Sequence, residues 1–81
     1  MMELKDTVEL MLSDDHNDRL RAEYEQLCIR SRALANIISA AEDGSLGFEL
    51  KTPIEILKRQ HQIMADYMFI LYTRLAMEVG K

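Results

Sequence analysis

The stretch His16-Asn17-Asp18-Arg19-Leu20-Arg21-Ala22-Glu23-Tyr24 collects most of the residues that could act on a ligand. On a helix it sets His16, Arg19 and Glu23 along one side, with Arg21 on a neighbouring side. A flat ring beside guanidinium groups can stack on a base and pair with a phosphate. Free amides at a helix start suit an anion as well. The competing reading is a solvated face stitched by i,i+4 pairs such as Arg19–Glu23 and Arg21–Glu25. A second basic cluster, Lys58-Arg59-Gln60-His61, falls early in a later helix. It would either ring an opening where several chains converge or form an ordinary exposed face. The candidate ligand-binding residues are therefore His16, Arg19, Arg21, Tyr24, Lys58 and Arg59.

Catalytic signatures are missing. The chain has no nucleophile elbow, P-loop, HExxH or Gly-rich phosphate loop, so no enzyme is expected. His16 and His61 read as surface histidines without a catalytic role. The lone Cys28 and the two histidines lie far apart, without the spacing of a zinc site, and neither metal nor cofactor is expected. A single cysteine also removes disulfides as a source of stability and fits a reducing, intracellular setting. The sequence MMELKDTVEL lacks the basic and apolar segments of a signal peptide. The net charge of −4 argues against a duplex DNA or RNA binder, which needs a basic face, but allows a local basic pocket for a small anion.

The elements that must position these residues are helical. Three Gly and one Pro in 81 residues, with many Leu, Ile, Met, Ala and Glu, describe an all-α chain. We expect a single helical domain over 1–81, with helices at about 3–12, 14–43 and 53–79. Ser13-Asp14-Asp15 supplies a helix start, and Gly44 a C′ residue. Within the second helix Leu20, Leu27, Leu34 and Ala41 recur every seven residues, with Tyr24, Ser31 and Ile38 between them. This is a coiled-coil-like seam, with Ser31 as its polar exception. A neighbouring face of Ala22, Ile29, Ala33, Ile37 and Ala40 would admit another helix. One of the two faces would serve an intrachain hairpin and the other a partner chain. GSLGFELK is the connecting loop, with Phe48 and Leu50 placed to plug the end of the hairpin. Thr52-Pro53-Ile54-Glu55 then reads as a capping box with Pro at the first helical position.

The third helix decides the assembly. After Ile63 its apolar residues wrap all the way round: Ile56, Ile63, Ile70 and Met77 form one series, Leu57, Met64 and Leu71 another, Met68 and Leu75 a third. Tyr67 and Tyr72 read as core or interface residues. Asp66 and Arg74 inside the run make a membrane span too costly. Arg74 would need Asp66 or Glu78 as its partner. One neighbouring helix covers one side only, so the other side calls for further copies. The expected architecture is a short N-terminal helix followed by a long antiparallel hairpin, assembling into a helical homo-oligomer.

The pattern Arg19-Leu20…Glu23…Leu27…Leu34…Ile37, a loop, then Leu57…Gln60…Met64…Tyr67…Ile70-Leu71…Arg74-Leu75 resembles a family of small phage helical-hairpin proteins across residues 16–76. Members of that family include phage anti-CBASS sponges. These sequester the cyclic oligonucleotide signals of bacterial antiphage defence without cleaving them. The resemblance implies a compact homohexamer in the host cytoplasm, with cyclic dinucleotides held between paired chains and cyclic trinucleotides held near the three-fold axis. It implies that His16 stands where sponges carry an aromatic ring, that Arg21, with Arg19 adjacent, stands at the phosphate-binding position, and that Arg59 stands at the trinucleotide site. The alternative from a different class is a phage coiled-coil adaptor or inhibitor that docks an apolar helix face on a host protein.

Overall fold

A computed structural model describes residues 2–79, all helix and connecting turn, with no strand among them. The N-terminal segment is not one continuous helix. A 3-10 turn over Leu4–Thr7 passes into the four-residue helix α1, Val8–Met11. Thr7 Oγ1 turns back to donate to the Leu4 carbonyl at 2.7 Å, a local side-chain bond that competes with regular helix. The long helix α2 spans His16–Asp43 and α3 spans Ile54–Val79.

The turn into α2 is knitted by its short polar side chains. Asp15 is the N-cap, and its Oδ1 accepts from the Asn17 amide at 2.9 Å. Ser13 Oγ accepts from the Asp15 amide and donates to Asp18 Oδ2 at 2.8 Å. At the far end Gly44 adopts φ 81°, and the amides of Ser45 and Leu46 both reach the Ala40 carbonyl. Only a glycine takes this left-handed geometry without Cβ strain. α3 begins at Ile54, one residue later than the capping box implied. Pro53 sits just outside the helix, its carbonyl accepting from the Ile56 and Leu57 amides. The Gly80 stop expected for this helix lies outside the described residues.

α2 and α3 form an antiparallel hairpin, with the 3-10 turn and α1 lying against α2 as an N-terminal arm. Both α2 faces are partly covered. On the seven-residue seam Leu20, Ser31 and Ile38 are buried, and Tyr24, Leu27, Leu34 and Ala41 half-buried; on the neighbouring face Ala22 is fully buried, with Ile29, Ile37 and Ala40 half-buried. From α3, Leu71 is fully buried, with Leu57, Met64, Met68 and Leu75 half-buried. Ser31 is the polar member of this seam and is buried along with its apolar neighbours. At the loop end, Leu34, Ile37, Leu50 and Leu57 border a hollow of about 360 Å³. Phe48 also lines it but remains mostly exposed, so it overhangs this end of the hairpin and does not plug it.

The remaining α3 series is bare. Ile56, Ile63, Ile70 and Met77 are between 53% and 67% exposed, although each is a large apolar side chain. They follow one another at seven-residue spacing along the side that α2 does not reach. This is the side that the sequence assigns to further copies of the chain.

Candidate functional site

Three of the four candidate residues on the first turns of α2 are already engaged. His16 Nε2 lies 3.0 Å from Glu78 Oε1, across the open end of the hairpin. Glu78 Oε2 lies 3.4 Å from Arg74 Nε, so Glu78 is the partner that Arg74 requires. Arg19 does not pair with Glu23. Its Nη1 donates to the Ser13 carbonyl at 2.8 Å and braces the turn. Glu23 instead accepts from the Tyr67 hydroxyl, 2.9 Å from each carboxylate oxygen. Tyr24 rests against Tyr72, ring centroids 6.2 Å apart and tilted by 47°. A hydrogen bond to Cys28 is the main cause that raises the Tyr24 pKa. Arg21 is exposed and makes no hydrogen bond or ion pair among the described residues.

The second cluster sits at the opposite end. Lys58 Nζ pairs with Glu42 Oε2 at 2.7 Å, which raises the ammonium pKa. Together with His61 and Ser39 the pair borders a shallow hollow of about 190 Å³. Arg59 is exposed and, like Arg21, has no partner among the described residues. Arg21 and Glu42 are separated by 21 helical residues, roughly 30 Å at the α-helical rise. One chain therefore does not bring the two basic clusters into a single pocket. Each would have to act at its own end, or beside another copy.

The sequence reading missed the constellation between these ends. Glu23, Gln26, Leu27, Arg30 and Tyr67 line a third, open hollow of about 150 Å³. The bond to Glu23 raises the Tyr67 pKa, because losing the phenolic proton would set two negative charges side by side. Gln26 is fixed from the arm: its Nε2 donates to Thr7 Oγ1 at 2.9 Å and also reaches Met11 Sδ. Glu23 and Tyr67 lie 44 residues apart, so their meeting depends on hairpin register.

Among the described residues no cluster of His, Cys, Asp and Glu is placed to hold a metal ion, and no helix is long and apolar enough to cross a membrane. The family model described as Sequestin matches residues 14–77. The chain belongs to the Sequestin family. The match takes in nearly all of the α2–α3 hairpin and does not include the arm. It coincides with the sponge-like pattern of residues 16–76, and Sequestin membership is consistent with a protein that sequesters its ligand. No curated protein and no solved structure matches the chain.

Proposed function

We propose that the protein is a phage anti-defence sponge that binds cyclic di- and/or trinucleotides in the host cytoplasm, holds them uncleaved and so blocks CBASS signalling. The observation that carries this reading is the Sequestin match over residues 14–77. The surface chemistry supports it. Arg21 and Arg59 are exposed guanidinium groups without a partner among the described residues, and phosphate oxygens suit their fork of donors. His16 offers an exposed ring at the start of α2, with Arg19 and Tyr24 close by in the same turns. The working form is a homohexamer built from dimers, supported by the bare Ile56, Ile63, Ile70 and Met77 series. Arg21, with His16, Arg19 and Tyr24, serves a dinucleotide pocket at a dimer seam. Arg59 and Lys58 serve a trinucleotide pocket where three chains meet. Sequestration needs charge, stacking and burial but no reacting group.

Native mass spectrometry with a panel of cyclic di- and trinucleotides tests subunit count and ligand stoichiometry together. We expect a hexamer that takes up ligand and returns it chemically unchanged after heating. Linear product would make the protein an enzyme, and no uptake of any ligand would end the sponge reading. The same bare series favours a second reading, in which α3 docks on a host protein. A ligand-free monomer in that experiment would point to it.

A further inference from the structure

The hollow between α2 and α3 at Glu23 and Tyr67 differs in kind from the two basic clusters. Its volume of about 150 Å³ corresponds to roughly five waters at ~30 Å³ each. That is smaller than the 300–1,000 Å³ or so of whole-ligand pockets, and on the scale of one flat ring. The walls are specific. Leu27 is an apolar, half-buried side, and Tyr67, 43% exposed as a residue, lines the hollow with its ring available for stacking. The Glu23 carboxylate meets one hydroxyl and has about four acceptor positions, which leaves two or more open. Gln26 has its donor nitrogen directed at Thr7 and Met11, which leaves Oε1 as a second acceptor. Arg30 is exposed, has no partner among the described residues and brings five donors.

A ligand ring must therefore present two adjacent donors to an anionic acceptor and place acceptors toward a guanidinium. Adenine and cytosine set an amino group beside a ring-nitrogen lone pair, which a carboxylate repels. Uracil and thymine carry one N–H between two carbonyls. Guanine alone places N1–H beside its 2-amino group, and its O6 and N7 are the acceptors that arginine reads bidentately. We infer that the hollow formed by Glu23, Gln26, Leu27, Arg30 and Tyr67 is a guanine-reading subsite, with Glu23 on the N1–H and 2-amino edge, Arg30 on O6 and N7, and Tyr67 stacked on the ring. The inference rests on the sponge reading and adds the identity of the base. The N-terminal arm takes part by orienting Gln26 through the buried Thr7.

Titration calorimetry of the full chain with cyclic di-GMP and cyclic di-AMP tests it. The parent should prefer the guanine ligand about tenfold or more. Glu23→Gln, with helix content checked by circular dichroism, should bring the two ligands to within about twofold while binding continues, because a carboxamide sets a donor against guanine's donors. Arg30→Ala changes an exposed side chain and should not disturb folding. It should weaken cyclic di-GMP and leave cyclic di-AMP unchanged. Equal binding of both ligands by the parent overturns the guanine assignment and leaves sequestration standing. Binding of neither overturns the guanine assignment, and the sponge reading falls with it only if cyclic trinucleotides are not taken up either. A guanine preference that survives both substitutions overturns the placement of the reader in this hollow.

Discussion

Arg21 and Arg59 are chemically alike but stand at opposite ends of the hairpin, each exposed and without a partner among the described residues. A charge-assisted hydrogen bond to phosphate has a net worth of about 1.5–3 kcal/mol, so losing one weakens binding roughly ten- to over a hundredfold. Calorimetry should find that Arg21→Ala lowers dinucleotide affinity and spares trinucleotides, and that Arg59→Ala does the reverse. Tyr67 carries a pH prediction. Its neutral hydroxyl donates to Glu23, so its folded pKa lies above the ordinary 10.0. The stabilisation is then fully present below pH 10.0 and lost as pH rises through the raised folded value. A ring-resonance titration by NMR should place the Tyr67 midpoint above 10.0 in the parent and closer to it in Glu23→Gln. The sequence showed these side chains without their partners. Local spacing suggested Arg19–Glu23, yet each residue bonds elsewhere. His16–Glu78 and Tyr67–Glu23 span 62 and 44 residues, and residue spacing within one helix cannot set hairpin register.

Periodicity served better for the elements. Seven-residue spacing identified the α2 seam, including the polar Ser31, and divided α3 into its apolar series, but only the hairpin shows that the Leu71 series is buried and the Ile70 series bare. A long helix repeats its signal over many turns, and a short one does not. The residues assigned to a first helix, 3–12, hold too few turns to distinguish a 3-10 segment from an α-helix, and a side-chain bond at Thr7 decides the outcome. The break after α2 was legible because Gly44 has a backbone reason to be there. Nothing lies within 4 Å of a Cβ placed at Gly44, so Gly44→Ala would clash with no neighbour. Its cost is the left-handed backbone alone, about 1–2 kcal/mol. Urea unfolding should show a lower midpoint with an unchanged slope.

As a molecule, one chain leaves its longest apolar series uncovered while its net charge stays at −4. Burying an exposed Ile or Met against a neighbour is worth about 1.5–3 kcal/mol, and the series offers three Ile and one Met in every copy. A charge on that face removes the gain and adds a desolvation cost in each subunit. Ile70→Asp should therefore abolish the assembly in analytical ultracentrifugation and leave dissociated or aggregated chains. A folded monomer from the unsubstituted chain at micromolar concentration would instead refute the oligomer, and the pockets between chains with it.

Glu78 holds His16 with one carboxylate oxygen and Arg74 with the other, and His16 is the first residue of α2. Free helix ends ordinarily fray independently. Here the start of one helix and the last turn of the other share a single fastening, so opening either end breaks the same contact. The two ends should exchange their amide hydrogens as a unit. His16→Ala should lower the protection of the last turn of α3, although the substitution lies on α2.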